Sequence, residues 1–342
     1  MSIGGNAGEG KPIGAVRKVA SFAVTSILLV ALFFFAVNAG SLKVTIPQLI
    51  NGLFVEYDPA VATVWDLRFP RIFIALVGGA ALATSGVLLQ AVIRNPLADP
   101  GIIGISSGAA FAAVVVTAFA PALFFFTPVI AFAGGLAAFA LVYSLSFNHG
   151  NLSPLRIILV GVAIGAMFSG LSAVIGSSSG GSGSSVTNII EANITMKTWS
   201  DFRAIAIYGS IGLILSFFTC KRCDILMLED KTARSLGVNV NLTRVVISAI
   251  AVLLASITTA IVGPISFLGL VVPHCARLLV GTSHKVLIPF SMILGAFCLL
   301  AADTLGRTVI APMEISAAVV MAVIGGPVFV LLLKGARGNY AA

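Results

Sequence analysis

Ile72–Ile93 reads IFIALVGGAALATSGVLLQAVI, 22 residues without a charge and with only Thr84, Ser85 and Gln90 to break its apolar character. A surface helix of a soluble domain carries one apolar stripe and an opposite polar face. This stretch has no polar face, and its length meets the roughly 20 residues that a helix needs to cross the hydrocarbon core of a bilayer. Val245–Val262, VVISAIAVLLASITTAIV, reads the same way. A closed β-barrel, the other architecture that satisfies its backbone in lipid, needs short segments of alternating polarity, which these are not. The reading is an all-α, polytopic membrane protein.

Composition agrees. The 342 residues are 58% hydrophobic and 9% charged, with a mean hydropathy of +1.10. A globular domain is about 45–50% apolar and about 25% charged. A soluble catalytic domain has no room here. The formal charge of +8 is scattered over loop ends and is not gathered into a nucleic-acid-binding patch. The first apolar segment, Val19–Val37, lacks a small-residue cleavage site after a short apolar core, so a retained anchor is expected, not a signal peptide. Cys220-x-x-Cys223 has no second pair and no nearby histidines, and reads as two incidental residues at a helix end; no metal site is expected.

Hydropathy places helices near 17–38, 72–93, 101–119, 127–147, 155–176, 203–220, 244–262, 266–280, 286–306 and 316–334. The expected organisation is a cytoplasmic tail over 1–16, a ten-helix transmembrane domain over 17–335 and a C-terminal tail over 336–342. An even number of crossings puts both termini on one side, and basic residues favour the cytoplasmic face. With the termini inside, the inner face holds Lys11, Arg17, Lys18, Arg94, Arg156, Lys221, Arg222, Lys231, Arg234, Arg244, Arg277, Lys285, Lys334 and Arg337. The outer face then keeps Lys43, Arg68, Arg71, Lys197, Arg203 and Arg307, so the bias supports cytoplasmic termini.

Two segments are not ordinary spans. Asn95-Pro-Leu-Ala-Asp-Pro-Gly101 joins the second and third helices, with Asp99 expected to cap a helix from Gly101. Gly263-Pro264 opens a segment that Pro273-His274 is expected to interrupt. Irregular backbone at membrane depth survives only inside protein or beside a water-filled cavity. Breaks in both halves suit an inverted-repeat transporter, although no residue-level self-similarity accompanies them. Small residues at four-residue spacing, Gly79-x-x-x-Ala83 and Gly161-x-x-x-Gly165-x-x-x-Ser169, allow close helix approach. The second set either packs helices or lines a translocation path. Gly176–Ser185, almost all Gly and Ser, reads with the polar stretch 186–201 as an external loop.

Several motifs occur in a fixed order. Arg68-Phe-Pro-Arg71 leads into the second helix, followed by Gly86-Val-Leu-Leu-Gln90, Arg94-Asn-Pro-Leu-Ala-Asp-Pro-Gly101 and Gly104-Ile-Ser-Ser-Gly108. Later come Gly263-Pro-Ile-Ser-Phe-Leu-Gly-Leu-Val-Val-Pro-His-Cys-Ala-Arg277, Ala302-Asp-Thr-Leu-Gly-Arg307 and Gly325-Gly-Pro-Val-Phe329. Over about residues 20–335 the set closely resembles the FecCD-type permeases, the membrane subunits of ABC importers for ferric siderophores, haem and cobalamin. The resemblance implies the type II importer fold, ten helices and a dimer of permeases, with either a second copy or a homologue. It further implies two cytoplasmic ATPase subunits and an external substrate-binding protein. The chain has no G-x-x-x-x-G-K-[ST] loop, so ATP and its Mg are expected on the ATPase subunit and not on this chain.

The inner loop 221–244 alternates apolar Leu228, Ala233 and Leu236 with charged residues. Gly237 is a natural helix stop and Asn241 a candidate cap, so two short helices with a tight corner are expected. By the resemblance this is the element that couples to the ATPase, through Leu228, Glu229, Asp230, Ala233, Arg234, Leu236, Gly237 and Val238. The resemblance also implies that Arg68, Arg71 and Arg307 dock the binding protein; the local alternative is neutralisation by Asp66 and Asp303. Asp99, His274 and Glu314 show no spacing that demands acid–base chemistry. An ion-coupled transporter or an intramembrane enzyme would need an interior ionisable pair or converging catalytic groups, and neither is visible. Ferric siderophore is the expected cargo, with haem next and cobalamin third.

Overall fold

The computed structural model describes residues 13–39, 44–56, 58–148, 151, 152, 154–178, 186, 189, 194, 195, 197–310 and 313–336. The tail residues Lys11 and Arg337, Lys43, and most of the Gly/Ser loop lie outside them. The helices are α1 (Ala15–Asn38), α2 (Ile46–Phe54), α3 (Pro59–Leu67), α4 (Phe69–Ile93), α5 (Ile105–Phe119), α6 (Thr127–Leu145) and α7 (Pro154–Ser178). They continue with α8 (Trp199–Leu226), α9 (Asp230–Ser235), α10 (Val240–Val262), α11 (Leu268–Val280), α12 (His284–Thr308) and α13 (Ala317–Ala336). A 3-10 turn at Pro121–Phe126 and a two-residue-per-strand hairpin, Phe147–Asn148 with Asn151–Leu152, complete the described elements.

Among the described residues seven helices are long and apolar enough to cross a membrane, and three shorter apolar helices occupy Ile105–Phe119, Leu268–Val280 and Ala317–Leu331. Each hydropathy segment falls on one of these. Hydropathy missed α2 and α3, because each is only 9 residues long. Asp58 caps α3, its carboxylate accepting from the Ala60 and Val61 amides, and Pro59 sits at the first helical position. α8 runs well past the hydropathy estimate at both ends. At its start Thr198 and Asp201 form a capping box, which fixes a polar first turn that an apolar window cannot see.

The layers follow from which faces carry methyl groups and which carry glycine. α4 and α10 are buried along most of their length, and α12 over about half, while α1 presents Val16, Val19, Ile27 and Phe35 outward. Two glycine contacts set the central crossings. A Cβ on Gly79 of α4 would stand 2.2 Å from the Gly295 carbonyl oxygen of α12. One on Gly86 would stand 1.8 Å from that of Gly269 in α11. Helices in lipid gain little from the hydrophobic effect between them, so backbone-to-backbone approach supplies the contact. Exposed Leu, Val and Phe on α1, α6, α7 and α8 are the expected surface toward acyl chains.

Candidate functional site

At one end of α4 the chain builds a compact corner. α8 stops at Leu226, and α9 begins at Asp230. Gly237, at φ +79, then turns the backbone while the Val238 amide bonds back to Ala233 O at 3.3 Å. Glycine fits that left-handed position without the Cβ clash. The expected second short helix is absent. Asn239, not Asn241, is the cap: its side chain accepts from the Leu242 amide at 3.1 Å, and α10 runs unbroken from Val240. With Asn239 already seating the first turn, Asn241 falls inside the helix.

Of the residues assigned to coupling, Ala233 is fully buried and Val238 half-buried, whereas Leu228, Glu229, Arg234, Leu236 and Gly237 are exposed. Two large apolar side chains, Leu228 and Leu236, thus stand exposed beside charges at this corner. Asp230 points the other way. Its carboxylate receives Arg244 of α10 at 2.9 Å and the Arg94 guanidinium, whose Nε–H donates to Leu226 O. Asp224 closes the same end, accepting from the His284 amide at 3.0 Å and lying 2.6 Å from its Nδ1.

Arg94 caps α4 in the left-handed region, φ 53. That conformation costs a non-glycine residue about 1–2 kcal/mol, offset here by the bonds its side chain makes. Beyond it, Asn95 Oδ1 accepts from Leu97 N, and Asp99 Oδ1 accepts from Gly101 N at 2.8 Å and Ile102 N at 3.3 Å. Asp99 therefore caps a turn and not a helix from Gly101. α5 starts only at Ile105, after Gly104 at φ +85. The second break runs from Gly263, φ 93, to Phe267, φ 68.

Pro273 does not interrupt the second broken segment, since α11 passes straight through it. A proline leaves the carbonyl four residues earlier without its amide partner. That carbonyl belongs to Gly269, and Gln90 Nε2 of α4 donates to it at 3.3 Å and to Ala98 O at 3.3 Å, while Gln90 Oε1 accepts from Arg277. One buried amide thus ties both breaks together.

The residues proposed for a path lie where α7 meets the first break. A Cβ on Gly161 would be 2.6 Å from Ile102 O, and Ser169 Oγ stands 3.5 Å from Ser107 Oγ. Gly161 serves close packing, and with Gly165 it borders a crevice of about 230 Å³ shared with Gly101, Ser107 and Phe267. Ser169 is exposed beyond it.

About 35 Å along α4 from Arg94, at 1.5 Å per residue, lies the second charged node. Arg71 is buried, bonded to Asp303 at 2.9 Å and Glu314 at 2.8 Å, and Glu314 also accepts from Thr195 at 2.7 Å. Arg68 donates to Val37 O at 2.7 Å, and Arg307 donates to Ala36 O at 2.6 Å and Ala39 O at 3.2 Å. These two satisfy carbonyls that the last turn of α1 leaves open. Asp303 also lies 3.8 Å from Arg307, whereas Asp66 is exposed. Burial pulls Glu314 upward, but bonds from Thr195 and Arg71 outweigh it and hold its carboxyl below the ordinary value.

Sequence reasoning gave Arg94, Gln90 and Arg244 no role of their own, although Gln90 and Arg94 fall in the ordered motifs. The one available signal was Arg94 itself, a lone charge between two spans directly before Asn-Pro. Among the described residues no three His, Cys, Asp or Glu side chains converge as metal ligands, and Cys220 and Cys223 lie buried on α8.

Comparison with known proteins fits this architecture. Residues 28–335 match the FecCD transport family. Proteins described as probable heme-iron transport system permease protein IsdF, from Staphylococcus aureus strains MSSA476 and Newman, are 38% identical over 323 residues, covering 94% of this chain and 98% of theirs. A solved inward-facing conformation of a putative metal-chelate type ABC transporter superposes with a TM-score of 0.79 at 30% identity, covering 93% of this chain and 99% of that one. PsaBC from Streptococcus pneumoniae, in complex with Fab, shares the fold with a TM-score of 0.56 at 17% identity over 84% of this chain and 95% of its own. An all-helical, multi-pass protein of the cytoplasmic membrane, the chain belongs to the FecCD transport family of ABC importer permeases.

Proposed function

We propose that this permease carries an iron-bearing metal chelate, haem first among them, into the cytoplasm. It does so between two permease subunits, driven by ATP and Mg on separate ATPase subunits and supplied by an external binding protein. The haem reading rests on the end-to-end 38% identity with permeases described as heme-iron transporters. It displaces ferric siderophore as first choice. All ten apolar helices cross, with both termini cytoplasmic. α5 and α11 span only about 20–22 Å as helix, and the irregular backbone before each, 101–104 and 263–267, completes the crossing inside protein.

The observation that carries the mechanism is the exposed corner. Leu228 and Leu236 are 42% and 59% exposed beside Glu229 and Arg234, flanking the short α9, which Asp230 ties to Arg94 and Arg244. Such a corner fits a groove on an ATPase subunit. At the opposite end Arg68, Arg71 and Arg307 are engaged with α1, Asp303 and Glu314. Their part in docking the binding protein is to hold the shape of the outer rim it meets.

Deleting the chain's gene should abolish growth when haem is the sole iron source. Loss of growth only on a ferric siderophore would reassign the cargo, and unchanged growth on every iron source would remove the importer reading. Leu228→Asp with Leu236→Asp should leave a folded permease that no longer co-purifies with the ATPase subunit. An ATPase retained at wild-type stoichiometry would show that the corner is not the coupling surface.

A further inference from the structure

We infer that Arg94 is a positioning residue that carries displacement of the coupling corner to the membrane-depth break between α4 and α5. The inference rests on the coupling role proposed above and names the path beyond it.

Three observations define that path. The Arg94 guanidinium bonds at once to Leu226 O, the end of α8, and to Asp230, the first residue of α9. Asp230 is shared with Arg244 at 2.9 Å, so α4, α9 and α10 meet on one carboxylate, and α8 joins them through the Arg94 bond to Leu226 O. On its other side, Arg94 is followed by a segment in which side chains fix the backbone at short intervals. Asn95 holds Leu97 at 2.9 Å, Gln90 holds Ala98 at 3.3 Å, and Asp99 holds Gly101 at 2.8 Å.

A segment pinned in this way moves as a unit. Its far end, Gly101 and Ile102, borders the crevice with Gly161, Gly165 and Phe267. Gln90 adds the second half, because the amide that fixes Ala98 also binds Gly269 O and accepts from Arg277. A shift of α9 relative to the helix bundle therefore reaches the first break through Arg94, and Gln90 ties that break to Gly269 at the start of α11, next to the second. Arginine is suited to this: its planar fork donates in two directions at fixed angle, which a lysine ammonium does not reproduce.

The test uses the permease purified with its ATPase subunit and reconstituted with the binding protein. Its background has Cys220, Cys223, Cys275 and Cys298 replaced by alanine and carries Ile102→Cys. In the parent, reactivity of residue 102 toward a hydrophilic thiol reagent should change between nucleotide-free and vanadate-trapped states. With Arg94→Gln the ATPase subunit should stay bound and hydrolyse ATP, the reactivity change should vanish, and uptake per ATP should fall at least tenfold. Arg94→Lys should recover only part of the loss. Arg94→Met, which keeps an unbranched side chain but makes neither bond, should repeat the Arg94→Gln result and covers the case in which that variant does not fold.

Retention of the reactivity change or of uptake per ATP in either variant overturns the inference. Loss of the ATPase subunit from a folded Arg94→Gln complex also overturns it, since Arg94 would then merely support the docking surface. The Leu228→Asp, Leu236→Asp pair reports separately on that surface.

Discussion

Arg71 on α4 and Asp303 on α12, 232 residues apart in the chain, face each other at 2.9 Å with the carboxylate almost wholly buried. The pair joins two central helices and, through Glu314 at 2.8 Å, the segment that leads into α13. Removing Asp303 strips Arg71 of its buried counter-ion and leaves it only the half-exposed Glu314, a loss of up to about 3–5 kcal/mol. Asp303→Ala should accordingly lower the yield of folded permease and its unfolding temperature in detergent. Arg71→Met combined with Asp303→Leu should recover a large part of the loss. A double variant no better than Asp303→Ala would show that the pair's geometry, and not the uncompensated charge, dominates.

Glycine approach at the α4 contacts gives a sharper contrast. A Cβ on Gly86 would lie 1.8 Å from the Gly269 carbonyl oxygen, whereas one on Gly170 meets nothing within 4 Å. Gly86→Ala must push α11 away from α4, at about 1–3 kcal/mol or more. Gly170→Ala should be neutral or stabilising by up to about 1 kcal/mol through helix propensity. Size-exclusion profiles and melting curves of the two variants should diverge accordingly.

Gln90 supplies an amide to a carbonyl that Pro273 has deprived of one. Gln90→Leu leaves Gly269 O and Ala98 O buried without that donor, a cost of about 1–3 kcal/mol for each such group. Adding Pro273→Ala restores an amide in α11 able to bond Gly269 O. The Gln90→Leu, Pro273→Ala double variant should therefore melt higher than Gln90→Leu alone. An equal or lower melting temperature would mean that Gln90 is not compensating for the proline.

The Asp230 link should be insensitive to pH near neutrality. Burial pulls the Asp230 pKa upward, but the charge of Arg244 and the bonds from Arg94 outweigh it and hold the carboxyl below its ordinary 3.8. A carboxyl lowered on folding contributes stability above its unfolded pKa and loses it as pH falls through the folded value. The melting difference between wild type and Asp230→Asn should stay constant from about pH 5 to 8 and close only in acid below about pH 4. A difference that changes between pH 6 and 8 would contradict this assignment.

The apolar rods were legible because burial in lipid removes the need for a polar face. Residues 72–93 and 245–262 declare helices by composition alone, and the structure moves their N-terminal ends by only a few residues. The short helices α2 and α3 were not legible, being too brief for a hydropathy window and defined by caps such as Asp58. The corner was half legible. Gly237 marked the stop, but only the fold revealed that Asn239 takes the cap and that Asp230 bonds Arg94 and Arg244.

Sequence alone determined the solvent of this protein, where its long apolar helices lie and the family, because hydropathy and ordered motifs are local properties of the chain. Tertiary structure decided what the charges and the proline mean. Arg71, Arg94 and Gln90 find partners that lie far off in sequence or on another element, and no spacing rule reports such distances. Only the packed bundle shows Gly269 O in need of the amide that Gln90 brings.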